Sequence, residues 1–85
     1  MTVHELKTIN PYFTDVWEGR KDFELRANDR NFQVGDMLIL REFDPETCEY
    51  SGRVYKKRIV YILVSHVGLT EGWVILGMDN RFSAQ

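Results

Sequence analysis

Residues 54–64 read VYKKRIVYILV, a stretch rich in β-branched and aromatic side chains. Such residues favour a β-strand, and a stretch of this length is enough for one long strand that bends around a barrel. The whole chain has 85 residues, which is the size of one domain and too short for two independent cores. We therefore predict a single, mainly β domain over residues 1–85.

A short helix is predicted after the first strand. Asn10 can cap a helix, and Pro11 suits its first turn, where a missing N–H has no effect. Gly19 fits the left-handed position that ends a helix. Three apolar residues between them recur at helical spacing and predict one stripe that packs on the core, the tryptophan included: Phe13, Val16 and Trp17.

Turn residues divide the rest of the chain into strand-like segments. Thr2–Lys7 is predicted as a short, partly exposed first strand. The apolar run Met37–Leu40 predicts a strand that is buried on both faces or nearly so. A hairpin is predicted to have its first arm end near Phe43 and its second arm begin near Arg53. Trp73–Met78 is predicted as the last strand.

Residues 23–27 show the period-two alternation of a strand with one apolar and one polar face. Phe23, Leu25 and Ala27 would share the apolar face. Glu24 and Arg26 would share the polar face and point the same way.

Five strands and one helix after the first strand indicate a mixed α+β, mainly β fold, built as a small closed or half-closed barrel. An open α+β sheet is the alternative. Residues 79–85 are polar and are predicted to form a loosely held tail.

Composition excludes several classes of protein. The single cysteine, Cys48, rules out an internal disulfide and a metal site of paired thiolates, and is typical of a reducing compartment, so we expect a cytoplasmic protein. No segment has the length of a membrane span or the pattern of a secretory signal. His66 has no second ligand at suitable spacing, and we predict neither a metal nor a cofactor.

The net charge of −2 provides no overall attraction for nucleic acid, so any polyanion must be bound by local clusters of Lys and Arg. Residues 56–58, Lys-Lys-Arg, form one such cluster. Because alternate residues of a strand face opposite ways, they cannot form one phosphate-binding stripe. We interpret them as charged residues that protect an exposed edge strand.

Residues 19–26 fit the pattern Gly-x-Lys-x-x-Glu-x-Arg, in which the charged positions are Lys21, Glu24 and Arg26. This segment resembles the signature of ASCH domains, which belong to the PUA-like superfamily. Flanking segments 4–7, 28–30 and 32–36 resemble the compact, stand-alone bacterial or phage-type members, and the resemblance extends from about His4 to Met78. It implies a PUA-like barrel of about five strands that binds RNA or a nucleotide.

The chemistry of these residues suits a small polar ligand. A guanidinium can hold a phosphate or a carbonyl edge, an ammonium adds a mobile charge, and a carboxylate can accept from an exocyclic amine. The predicted ligand-binding residues are His4, Lys7, Lys21, Glu24, Arg26 and Arg30, with Tyr12 or Trp17 as a stacking surface. The predicted partner is single-stranded RNA, an RNA end or a nucleotide, with no membrane partner. The competing interpretation is structural, with Glu24 and Arg26 paired only to fix a strand end.

Two other functions stay open. Some small relatives in the ASCH group are amidohydrolases of acylated cytidine, in which the motif lysine works with a threonine three residues later. Lys21 matches that lysine, but Glu24 replaces the threonine, so Lys21 and Glu24 would be the acid and base of any such hydrolase. The third possibility is a protein-interaction module, and the sequence leaves the oligomeric state open.

Overall fold

A computed structural model describes residues 1–80 of the protein. Within this range the chain forms five strands and one helix: β1 (Val3–Thr8), α1 (Tyr12–Trp17), β2 (Phe23–Ala27), β3 (Met37–Asp44), β4 (Glu49–Leu63) and β5 (Trp73–Asp79). The predicted order of elements along the chain is confirmed, including the β3–β4 hairpin and the long strand β4, but the second arm begins at Glu49, four residues before the predicted Arg53. The predicted tail is wrong at its first residue, because Asp79 is paired in β5; residues 81–85 lie outside the described residues.

The strands form one sheet in the order β1-β3-β4-β5-β2. β1 runs parallel to β3, and every other neighbouring pair is antiparallel. The sheet curls into a half-barrel, so the prediction of a closed or half-closed barrel is confirmed in its half-closed form. Irregular register in β4 opposite β5, between Ile59 and Tyr61, contributes to the bending.

The core lies on the inner face of the curl. Alternate residues of β3 and β5 point inward and are almost inaccessible, and helix α1 adds two side chains to the same core, Phe13 and Val16. Asn10 accepts a hydrogen bond from the Thr14 backbone N–H at 3.0 Å, and Gly19 adopts a φ of 83°. Gly19 therefore ends the helix as predicted, but the N-cap position is occupied by Pro11 and not by Asn10, so the predicted start is wrong by one residue.

Trp17 is an exception to the predicted helical stripe. Its side chain remains 44% exposed, although the Arg53 guanidinium lies 4.9 Å from the centre of its ring. The ring also packs against Phe13 and Tyr55, with ring centroids 5.7 Å and 5.6 Å away. The prediction that Trp17 lies in the core is therefore wrong.

The two faces of β2 are reversed relative to the prediction. Glu24 points inward and is 4% exposed, whereas Phe23 and Leu25 point outward and are 47% and 53% exposed. The register explains this, since Glu24 is paired with Leu76, which belongs to the core. The alternation itself was predicted correctly, but the polar set is the one that faces the interior.

β4 is an interior strand, not the exposed edge predicted from residues 56–58. It is paired with β3 on one side and β5 on the other. Lys57 points inward, is 4% exposed and contacts the Asp22 carboxylate at 3.2 Å, while Lys56 is exposed on the opposite face. The prediction that these charges face opposite ways is confirmed.

Within residues 1–80 the structure contains no helix with the length and apolar character needed to cross a membrane.

Candidate functional site

The curled sheet brings its two edge strands, β1 and β2, close to each other, and we call the gap between them the seam. At the helix end of the seam lies an open hollow of about 830 Å³, which we call the seam hollow. One wall consists of residues 7–9 and the helix residue Tyr12, and the other consists of residues 23–26 of β2. Lys21 and Arg20 lie between these walls.

Glu24 holds two cations together in this hollow. Its Oε1 accepts a hydrogen bond from Lys21 Nζ at 2.5 Å, and its Oε2 accepts one from Arg26 Nε at 3.1 Å. The Glu24 side chain is 5% exposed, so this network is shielded from bulk water. One carboxylate is thus bound by two cations, and the cluster keeps one net positive charge.

Arg26 also connects the two edges of the sheet. Its Nη2 donates to the Lys7 carbonyl oxygen at 2.8 Å and lies 3.5 Å from Thr8 Oγ1. Its Nη1 has no hydrogen-bond partner among residues 1–80. The guanidinium therefore has donors left for a ligand while its position is fixed by three protein oxygens.

Lys21 combines hydrogen bonds with aromatic contacts. Its Nζ donates to the Phe23 carbonyl oxygen at 2.6 Å and lies 4.9 Å from the Phe23 ring and 5.9 Å from the Tyr12 ring. Both rings are about half exposed. The hollow therefore places two aromatic rings beside the cations of Lys21 and Arg26. This arrangement suits a planar group that carries an anionic or hydrogen-bond-accepting edge.

Three predicted site residues thus converge, as the motif indicated, and Tyr12 joins them. Sequence reasoning missed the other six residues that line the hollow, among them Thr8 and Phe23. The period-two alternation of β1 could have predicted Thr8, because it points inward like Leu6 two residues earlier. Phe23 was missed because it was assigned to the core face.

Arg20 lies at the rim of the hollow with its charge already paired. It forms ion pairs with Asp15, at 2.9 Å, and with Glu18. The Arg20 side chain is 58% exposed. It is therefore less suited than Lys21 or Arg26 to attract an anion.

The predicted ligand-binding residue His4 does not line the seam hollow. It lies four residues before Thr8 on β1, roughly 13 Å away along the strand, and is 7% exposed. His4 Nε2 is 2.9 Å from Asp36 Oδ2, and its ring packs edge-on against Phe32. Burial would raise the pKa of Asp36, but hydrogen bonds from His4 and from the backbone N–H groups of Thr2 and Gln33 outweigh it and lower that pKa.

Two further predicted site residues, Lys7 and Arg30, lie at different points along the seam. Lys7 lines the hollow, and its carbonyl oxygen accepts a hydrogen bond from Arg26. The Lys7 Nζ lies 4.3 Å from the centre of the Phe43 ring. Arg30 lies farther along the seam, where its Nη1 donates to the Glu5 carbonyl oxygen at 2.7 Å. It lines a separate, smaller hollow of about 360 Å³. Arg30 therefore lies outside the seam hollow.

A second cluster surrounds Glu42 on the inner face of β3. Arg53 donates to both oxygens of Glu42, at 3.0 and 2.9 Å, and Ser51 and Asn10 donate at 2.6 Å each. The hydrogen bonds from Arg53, then those from Ser51 and Asn10, lower the pKa of Glu42 to about 2. Both oxygens of this carboxylate are therefore occupied by hydrogen bonds within the protein.

Among residues 1–80, no group of His, Cys, Asp and Glu side chains could hold a metal ion.

The sequence matches the family described as "Domain of unknown function (DUF3850)" over residues 3–78. It is also similar to the "Uncharacterized 12.9 kDa protein in GpA 3′ region" of Escherichia phage P2, with 42% identity over 57 residues. That match covers 67% of this chain and 50% of the phage protein, so the chain spans about half the length of this relative.

Proposed function

We propose, from the premise that this chain belongs to the DUF3850 family, that the seam hollow binds an unpaired base or a nucleotide of single-stranded RNA. The phosphate or carbonyl edge would be held by Lys21 and Arg26. The base would lie against the rings of Tyr12 and Phe23. An exocyclic amine would donate to the remaining lone pairs of Glu24.

The convergence of Lys21, Glu24 and Arg26 in one hollow is the observation that carries this proposal. Arg26 Nη1 has no partner among the described residues, so this N–H can donate to a ligand in the hollow. Aromatic stacking contributes about 1 to 3 kcal/mol per base when single-stranded nucleic acid binds. Two half-exposed rings beside two cations therefore suit such a ligand better than a simple anion.

The resemblance of residues 19–26 to the ASCH signature supports the same function and extends the proposal to a PUA-like fold. The half-barrel with one helix after its first strand is compatible with that assignment. We also propose a cytoplasmic location, where the exposed thiol of Cys48 would stay reduced.

The test is fluorescence anisotropy with labelled single-stranded RNA of about ten nucleotides. We expect the protein to bind this RNA and the Lys21→Ala variant to bind it about fivefold to tenfold more weakly. Lys56→Ala is the matched control, because it removes the same charge from an exposed position outside the hollow. Its affinity should stay within about twofold of the wild type.

Two results would contradict the proposal. One is the absence of binding to any RNA homopolymer at low salt. The other is an equal loss for Lys21→Ala and Lys56→Ala together with a steep fall between about 50 and 200 mM salt, which would indicate general attraction to phosphates.

A second candidate function is hydrolysis of an acylated nucleoside, favoured by the 2.5 Å contact between Lys21 Nζ and Glu24 Oε1. These two groups could exchange a proton with a substrate in the hollow. Arg26 counts against this role, because its Nε already donates a hydrogen bond to Oε2 of Glu24. Incubation with acylated cytidine, followed by chromatography, tests it: release of free cytidine that Lys21→Ala abolishes would support hydrolysis.

A further inference from the structure

The outer face of β2, β5 and β4 carries a continuous set of apolar side chains. On each strand the alternate residues point into the core, which leaves the others directed outward. We call this surface the outer patch; its members are Phe23, Leu25, Tyr61, Leu63, Trp73 and Ile75.

The register of the strands makes this patch contiguous. Leu25 is paired with Ile75, and Ile75 with Leu63, so three aliphatic residues form one row across the sheet. In the next row Gly77 stands between Phe23 and Tyr61. Cross-strand neighbours of this kind lie on the same face and touch each other.

Gly77 gives the patch a slot. Neighbouring strands are about 4.8 Å apart, so the two aromatic residues stand roughly 10 Å apart with no side chain between them. A Cβ atom at Gly77 would meet the Cβ of Tyr61 at 3.4 Å. Tyr61 thus forms one side of the slot closely, and only the strand spacing, with no side chain at Gly77, leaves room for one inserted side chain.

The size of the patch is comparable to one half of a small dimer interface. The aromatic members Phe23, Tyr61 and Trp73 are 47%, 63% and 41% exposed. With about 150 to 250 Å² per aromatic side chain, they expose roughly 250 to 400 Å² together. The aliphatic members raise this to roughly 400 to 600 Å² per copy, so two copies would bury about 1,000 Å², near the lower limit of a specific interface.

Charge also permits a second copy to approach. None of the six members is ionisable at neutral pH, and the nearest charges in the same register are Arg58 and Asp79, which pair with each other at 3.3 Å. The net charge of −2 produces only weak repulsion between identical chains. Lys21, whose Nζ lies 4.9 Å from the Phe23 ring, is already paired with Glu24.

We propose that the outer patch is the interface of a homodimer. Two copies would be related by a two-fold axis, and an aromatic side chain beside the slot of one copy, Phe23 or Tyr61, would enter the Gly77 slot of the other. Tyr61 and Leu63 do not line the seam hollow. Substitutions at these two positions therefore test dimerisation separately from ligand binding.

Sedimentation velocity over about 1 to 200 µM protein measures this equilibrium. We expect the wild type to shift with concentration toward twice the 10.1 kDa mass of one chain. Tyr61→Glu should weaken the dimer at least about tenfold, because the interface would bury an unpaired charge from each copy. Tyr50→Glu is the matched control, since Tyr50 is an exposed tyrosine on the same strand outside the patch.

Each outcome decides the proposal. A wild type that stays at 10.1 kDa at every concentration would overturn it, as would equal dimerisation of the Tyr61→Glu and Tyr50→Glu variants. Circular dichroism checks folding, and if Tyr61→Glu does not fold, Leu63→Lys at the end of β4 replaces it with the same expected dissociation. Dissociation by the patch variant alone supports the interface.

Discussion

At the scale of single residues, Glu42 is the group whose charge contributes most clearly to stability. Hydrogen bonds from Arg53, Ser51 and Asn10 lower its pKa to about 2, from an ordinary value of 4.5. Because the folded pKa is the lower one, the ionised form stabilises the fold above pH 4.5, and this contribution is lost as the pH falls toward 2. Glu42→Gln should therefore lower the free energy of unfolding at neutral pH by about 2 kcal/mol.

Urea unfolding at neutral pH and at about pH 3 measures this effect. The difference between the wild type and Glu42→Gln should shrink at the lower pH, where part of the wild-type carboxylate is protonated. Glu46→Gln is the control, since Glu46 is exposed and follows shortly after in the chain; its effect should stay below about 0.5 kcal/mol. A constant difference between the wild type and Glu42→Gln at both pH values would contradict the role of the charge.

The residue scale also shows where sequence patterns fail. The alternation in residues 23–27 revealed a strand, but the buried face was assigned by polarity, and polarity was misleading. Glu24 can lie inside because Lys21 and Arg26 neutralise it there, an arrangement that depends on positions after folding. His4 was misplaced for the same reason, because Asp36, its partner, lies 32 residues away.

At the scale of elements, Asn10 joins helix α1 to strand β3. Its Oδ1 accepts from the backbone N–H and the hydroxyl of Thr14, at 3.0 and 2.6 Å, while its Nδ2 donates to Glu42. Asn10→Ala should lower the free energy of unfolding by about 1 to 2 kcal/mol, because a cap and a hydrogen bond to a charged group are lost together. Thermal unfolding followed by circular dichroism measures the loss.

Thr14→Ala is the companion variant for this prediction. It removes only the hydroxyl bond and keeps the backbone N–H that Asn10 caps. Its cost should be about 0.5 kcal/mol. Equal losses for the two variants would mean that the cap and the link to Glu42 contribute nothing.

The type of each element was more predictable from sequence than the order of the strands within the sheet. Local features were sufficient for the strands and the helix ends, since alternation, Gly19 and Asn10 act through neighbouring residues. The strand order β1-β3-β4-β5-β2 depends on pairing between distant segments, which no local pattern encodes. This is why β4 was expected at an edge and is found in the interior.

At the scale of the whole molecule, the candidate site exists because the sheet curls and brings strand β1 close to strand β2. The motif spacing was enough to bring Lys21, Glu24 and Arg26 together, because they lie within six residues of one chain segment. The opposite wall of the hollow comes from residues 7–9, and only the approach of β1 to β2 places it there. Local sequence therefore predicted the β2 wall and named Lys7 and Tyr12 of the other wall, but only tertiary structure places the two walls together.

The same approach of β1 to β2 leaves a half-barrel whose edges are joined through arginine side chains. Arg26 donates to the Lys7 carbonyl oxygen and Arg30 to that of Glu5, so these two arginines hold the seam at successive points, and we call them the two clamps.

We expect Arg26→Ala and Arg30→Ala each to lower the free energy of unfolding by about 1 to 2 kcal/mol. The double variant should lose more than the sum, by at least about 0.5 kcal/mol, because either clamp alone keeps the edges together. Urea unfolding of the four proteins measures this coupling, with Arg20→Ala, which removes only exposed ion pairs, as a control expected to cost under about 1 kcal/mol. Strict additivity of the two clamps would instead mean that the seam is held by the sheet backbone and that the arginines contribute independently.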